Sequence, residues 1–319
     1  MGEARGIGVS NELDCIMNSY KKILLNGFEG ECMEAISVDK LKAFLKWPDC
    51  ARDWKLLRRV SSHGTYTYQV KADLGLGESE YFIKVFRKQE RFEVAWKKMK
   101  SIRGLKKPWR YPLQMLGYLF DPIPVKVGFE KGKALLEQGI PTALPVAYLY
   151  QKGLISAWGF IITEKIPNII AENLAEYLKQ RKNELGSGEY IREKRALILE
   201  LAKLFGKLMT LDFFLPDLRV SNILVERLPE GKFKLWVIDV VEAIPHKPRE
   251  DKMLYHLIAN PYYAQLFTGT DKIRFLKWYL GFSGRAESWS IICCRVNPLL
   301  QAWWKKWHKK YGQQNPKPH

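Results

Sequence analysis

The chain has 319 residues, 47% hydrophobic and 27% charged, the profile of an ordinary globular protein rather than a disordered or fibrous one. Lysine and arginine outnumber aspartate and glutamate by 52 to 34, a net charge of +18, so polyanionic surroundings are expected: nucleic acid, an anionic membrane face or a phosphorylated substrate. The cysteines Cys15, Cys32, Cys50, Cys293 and Cys294 form no Cys-x-x-Cys pair, which argues against a disulfide scaffold or a structural zinc site and for a reducing compartment.

Residues 1–10 lack a long apolar stretch, so no signal peptide is expected, and no uncharged apolar run approaches the roughly 18 residues of a membrane span. Leu13, Ile16, Met17, Tyr20, Leu24 and Leu25 read as one helical stripe, and Val38, Leu41, Phe44 and Leu45 as a second. Residues 1–50 are therefore expected to form an N-terminal helical extension. From Leu56 the pattern changes to alternation: Tyr66, Tyr68 and Val70, a Gly-containing turn at 75–77, then Tyr81-Phe82-Ile83-Lys84-Val85-Phe86, a predicted hairpin.

Residues 84–110 carry eleven lysines or arginines against Glu90 and Glu93 alone, with Trp96 and Trp109 interleaved. A helix is predicted up to about Gln138, ended by Gly139 with Pro141 beyond. Strands follow at 145–150 and 158–163, then helices at about 171–182 and 190–210. A loop at 213–221 leads into the strand 223–225, a Pro-Glu-Gly turn at 229–231 and the strand 235–238; residues 250–310 read as helical and Trp-rich. Strands first and helices later predict an α+β protein with two lobes.

Three pieces carry chemistry. A lysine, Lys84, lies inside an apolar strand; a loop reads Asp217-Leu218-Arg219-Val220-Ser221-Asn222 and runs straight into a strand; and, after a tight hairpin, the next strand ends in Asp239. Taken singly, Lys84 fits a snorkelling edge residue, 217–222 a turn with Asx hydrogen bonds, and Asp239 a cap at a strand end. In this order they supply what phosphoryl transfer from ATP needs: a lysine on the phosphates, an Asp beside the attacking hydroxyl, and an Asn and a second Asp on magnesium. The hairpin is expected to bring Asn222 and Asp239 to the same end of neighbouring strands.

With Ala134 to Pro145 (Ala-Leu-Leu-Glu-Gln-Gly-Ile-Pro-Thr-Ala-Leu-Pro) and Gly159-Phe160-Ile161-Ile162-Thr163-Glu164, these segments resemble the lipopolysaccharide kinase group of the protein-kinase-like superfamily, over roughly residues 55–245. The resemblance implies a two-lobed protein-kinase-like fold: an N-lobe at 51–163 with a basic insertion at 84–124, and a helical C-lobe at 164–319 ending in basic, Trp-rich helices. It implies Lys84 on the α/β-phosphates, a hinge including Thr163 and Glu164 on the adenine, Asp217 as base, Arg219 neutralising the γ-phosphate, and Asn222 and Asp239 on Mg2+. Two departures stand out: Leu215-Pro216 precedes Asp217 where kinases place a His, and Gly128 stands where a helix glutamate should brace Lys84, leaving Glu130 as the nearest substitute.

The implied activity is Mg-ATP-dependent phosphorylation of a Kdo or heptose hydroxyl of lipopolysaccharide core, or of a similar glycolipid. The implied location is cytoplasmic, peripheral on the inner face of a bacterial inner membrane, with no nucleic-acid partner. Other readings are a small-molecule or protein kinase of the same fold, or a pseudokinase that binds nucleotide or membrane. Trp303, Trp304 and Trp307 with Lys305, Lys306, Lys309 and Lys310 fit either a core-packed helix or an interfacial one.

Overall fold

In the computed structural model, β1 (Tyr20–Leu25) and β2 (Phe28–Met33) form a hairpin where the sequence suggested a helix. The physical reason lies in Asn26-Gly27. Both residues take positive φ, 50° and 81°, the two-residue turn that matches strand twist and that Asn-Gly favours. Ile23 and Leu25 are then buried while Leu24 is 77% exposed, a period of two rather than a helical stripe. The second stripe does become helical, as the short α1 (Val38–Lys42) and the 3-10 turn Ala43–Lys46. The structure describes residues 19–60, 64–99, 124–153, 157–170, 173–211, 213–215, 218–240, 244–245, 253–255, 257, 266–298 and 301.

The chain divides into two compact units, one of Met1–Lys133 with Leu144–Lys165, the other of Ala134–Ala143 with Ile166–His319. The first holds a seven-stranded antiparallel sheet in the order β1-β2-β6-β7-β5-β4-β3. Its further strands are β3 (Lys55–Val60), β4 (Thr65–Asp73), β5 (Glu78–Arg87), β6 (Pro145–Gln151) and β7 (Trp158–Glu164). One face carries Tyr81, Ile83 and Val85 of β5 with Leu149, Phe160 and Ile162, and the 38–54 segment covers it through Leu41 and Phe44, with Trp47 and Trp54 packed against them. Phe44 sits 5.3 Å from Trp54 and 6.2 Å from Phe160, and Trp47 sits 5.5 Å from Tyr66, all ring to ring. The expected extension is thus two added strands and a lid on the core of this sheet.

Two helices follow β5 in the chain: α2 (Lys88–Met99), which continues directly from it, and α3 (Val125–Glu137), whose residues up to Lys133 belong to the first unit and whose last turn, from Ala134, belongs to the second. Residues 100–123, the rest of the basic insertion, lie outside the described residues. On α3 the positions Val125, Gly128, Phe129, Gly132 and Leu135 are buried, a helical stripe that includes two glycines. Phe129 packs 4.8 Å from the Tyr148 ring, and a Cβ on Gly132 would sit 3.5 Å from Pro145, so the bare glycine brings the helix close to β6.

The second unit is built on α4 (Leu174–Glu184), α5 (Ser187–Thr210) and α6 (Gly269–Phe282), with the hairpin β9 (Ile223–Arg227) and β10 (Phe233–Val237). A two-stranded pair joins β8 (Phe213–Phe214) to β11 (Ile244–Pro245). Leu197, Leu201, Phe205 and Leu208 of α5 form the centre of its core, and the Phe205 ring meets Phe275 of α6 edge-on at 5.4 Å. Asp271 closes a capping box with Thr268 at the start of α6 and also takes Lys194 of α5 at 2.7 Å. The α+β class is as expected: strand-rich first unit, helical second. The Trp303, Trp304 and Trp307 cluster lies outside the described residues.

Candidate active site

The loop before β9 is fixed by its own backbone. Leu218 N–H donates to Leu215 C=O at 3.1 Å and Asn222 N–H to Arg219 C=O at 2.8 Å, closing the turn Val220–Asn222. Leu218 and Val220 are buried at 2% and 1%, so Arg219 between them is the residue that faces solvent. Asp217, the expected base, lies outside the described residues, as does Pro216.

The antiparallel register pairs Val237 with Ile223, and beyond it Ile238 N–H donates to Asn222 C=O at 3.0 Å. Asn222 and the residue before Asp239 are thus bonded partners, so both expected metal residues stand at one end of this hairpin. Asn222 is buried at 7% and Asp239 is exposed. Asp239 also has φ 61°, a left-handed conformation that costs a residue with a Cβ and that recurs at functional positions. The two side chains offer a neutral and an anionic oxygen, the hard donors Mg2+ prefers; Mg2+ commonly takes only one or two carboxylates and fills its shell with phosphate oxygens and water.

A third segment completes this half-site, one that the sequence marked only as a family signature. Gly139 (φ 66°) ends α3: its N–H donates to Leu136 C=O at 2.7 Å and Ile140 N–H to Leu135 C=O at 2.8 Å, the paired bonds of a Schellman cap. Ile140 then plugs into the helical core, fully buried. Pro141 and Thr142 run beside β10: Val237 N–H donates to Pro141 C=O at 2.8 Å and the Thr142 hydroxyl donates to Val237 C=O at 2.7 Å. The sequence signal for this role is the Gly-x-Pro pattern after a helix, which stops α3 and frees the next residues to pair.

In the first unit Lys84 lies on β5, paired with Thr67 and Ile161, on the face opposite Ile83 and Val85. Its Nζ stands 5.5 Å from the centre of the Phe86 ring. Glu130, the expected glutamate substitute, is exposed and pairs with Lys126 one turn back on α3, at 3.7 Å. Gly128, at the position expected for the brace, is on the buried stripe of that helix.

Thr163 and Glu164 end β7, which lies between β5 and β6. Glu164 N–H donates to Leu144 C=O and Lys165 N–H to Glu80 C=O, each at 2.9 Å. These two backbone donors of the expected hinge are therefore committed to the protein itself. The Glu164 carboxyl is held above the ordinary carboxylate range by the protein packed around it, although the side chain as a whole is exposed.

Among curated proteins none matches this chain. A solved structure described as WaaP in complex with acyl carrier protein is 21% identical, covering 81% of this chain and 89% of its own, with a TM-score of 0.49. The model of the lipopolysaccharide kinase (Kdo/WaaP) family matches residues 123–279, which include the Gly139 to Thr142 signature, the 217–222 loop and Asp239. Over those residues, just under half of its length, the chain is similar to the lipopolysaccharide kinase (Kdo/WaaP) family.

Proposed function

We propose that this protein transfers the γ-phosphate of Mg-ATP to a sugar hydroxyl of lipopolysaccharide core, Kdo or heptose, or of a similar glycolipid, at the cytoplasmic face of a membrane. The observation that carries the reading is the placement of Asn222 and Asp239 at one end of the β9–β10 hairpin, directly after the 217–222 loop. Asn222 and Asp239 hold Mg2+, whose charge offsets that of the phosphates. Asp217 orients the sugar hydroxyl and accepts its proton, and Arg219, exposed and two residues on in the sequence, neutralises the γ-phosphate. Lys84 grips the α/β-phosphates. Little covalent work falls to the protein, because the transition state is loose and positioning with charge neutralisation dominates.

A peripheral contact with anionic lipid is part of the same reading. Lys55, Leu56, Leu57, Arg58 and Arg59 of the edge strand β3 are all exposed, Leu56 at 51% and Leu57 at 44%, in a chain with net charge +18. Bases and apolar side chains side by side suit a headgroup region. Among the described residues no helix is long and apolar enough to cross a membrane.

Labelled ATP offered with purified lipopolysaccharide precursors, a generic protein and an aminoglycoside tests the acceptor. Transfer to the precursors, lost in Asp217→Ala by about 10³-fold, is expected. Transfer to the protein or aminoglycoside alone would move the acceptor to another class. Activity unchanged in Asp217→Ala would remove Asp217 as the base.

A further inference from the structure

We infer that Thr142 is a positioning residue for the metal-binding strand end: its hydroxyl, with the Gly139 to Thr142 strap, sets where β10 delivers Asp239. The inference rests on the reading of Asn222 and Asp239 as the magnesium residues. It adds a residue that touches neither metal nor substrate.

A two-stranded hairpin is marginally stable by itself, and its open end is where it frays. Asp239 stands just past that open end. The last residue of β10, Val237, is held on its outer side by two bonds, its N–H to Pro141 C=O at 2.8 Å and its C=O from the Thr142 hydroxyl at 2.7 Å. The next residue, Ile238, is held on the inner side by Asn222 C=O at 3.0 Å. Consecutive residues are thus clamped from opposite sides immediately before the left-handed turn at Asp239.

The clamp is itself anchored. Thr142 is 3% exposed, Ile140 is fully buried in the helical core, and Lys207 of α5 donates from Nζ to Gly139 C=O at 2.9 Å. A Cβ on Gly139 would come within 2.7 Å of that Nζ, so the approach of Lys207 depends on the glycine as much as the positive φ does. The bond that a side-chain change can remove without altering shape is the Thr142 hydroxyl. Valine keeps its volume and branching and deletes the donor, leaving the Val237 carbonyl without it.

The test uses the full chain with Thr142→Val, Thr142→Ser and Lys207→Met. Two metal readouts are taken: Mn2+ affinity measured from free Mn2+ by electron paramagnetic resonance with a non-hydrolysable ATP analogue present, and the Mg2+ concentration for half-maximal phosphate transfer. Thr142→Val is expected to weaken both about 5- to 10-fold, Thr142→Ser to restore wild-type values, and Lys207→Met to weaken them about 2- to 3-fold. If Thr142→Val lowers thermal stability while both metal curves overlay the wild type, the hydroxyl is structural only and the inference is overturned. Should Thr142→Val not fold, Lys207→Met decides alone, and unshifted metal curves in it overturn the inference. A wild-type protein that binds no Mn2+ with the nucleotide analogue defeats the magnesium reading instead, before any variant is compared.

Discussion

The two units place their charges differently. In the strand-rich unit the ion pairs Lys40–Asp73, Lys71–Glu78 and Lys165–Glu80 lie on the rim of the sheet, with side chains 40–64% exposed. What joins that unit is the layer of rings from Phe44, Trp47 and Trp54 against Tyr66, Tyr68 and Phe160. In the helical unit Lys194 and Asp271 pair at 9% and 10% exposure, across the α5–α6 contact. Rim pairs gain little because water screens them, whereas half of a buried pair left alone keeps an uncompensated charge. The first unit should therefore answer to loss of apolar contact and the second to loss of charge.

The largest expected effect tests the first half of that contrast. Phe44→Ala should cost about 3–5 kcal/mol in denaturant unfolding, because a buried ring leaves a cavity that its neighbours cannot close. An unchanged midpoint would mean that residues 38–54 are a detachable extension after all.

Asp271→Asn comes next, with an expected cost of about 3 kcal/mol from stranding Lys194. Its pH dependence has a definite sign. Burial pushes the Asp271 carboxyl up, but the Lys194 ammonium and the bonds from Thr268 outweigh it and hold the group below its ordinary value. Stability from a lowered carboxylate is fully present above the ordinary carboxylate range and is lost as pH falls through the folded value. The gap between wild type and Asp271→Asn should thus be flat near neutrality and shrink below about pH 4, where carboxylates begin to protonate. A gap that persists unchanged into acid would show that the carboxylate's charge is not what stabilises the α5–α6 joint.

The smallest effect concerns Glu130. Its pairing with Lys126 is exposed and within one helix, so Glu130→Gln should change stability by only about 0.5 kcal/mol or less and leave phosphate transfer within about twofold. A loss of tenfold or more in transfer would instead support Glu130 as the brace for Lys84.

Local chemistry was readable where the backbone is governed by near neighbours. The β4–β5 alternation, the Gly139 stop of α3, the two strands at 145–150 and 158–163 and the β9–β10 hairpin all follow from side-chain period and turn residues. The placement of Asn222 beside Ile238 follows from that hairpin's register, so this much of the candidate site was legible. The β1–β2 hairpin was equally available in Asn26-Gly27, yet the helical spacing of Tyr20, Leu24 and Leu25 competes with it when the turn is given too little weight.

The sequence alone was enough for most elements from Tyr66 to Val237, for the α+β class and for the family similarity of residues 123–279, because periodicity, caps and turns act over a few residues. Only the folded chain shows that 38–54 roofs a sheet and that Glu164 and Lys165 spend their N–H groups inside the protein. It alone placed the Thr142 hydroxyl on Val237, 95 residues away. Such partners are chosen by packing: a side chain's spacing shows which face it takes, and only the folded chain brings the opposite group to that face.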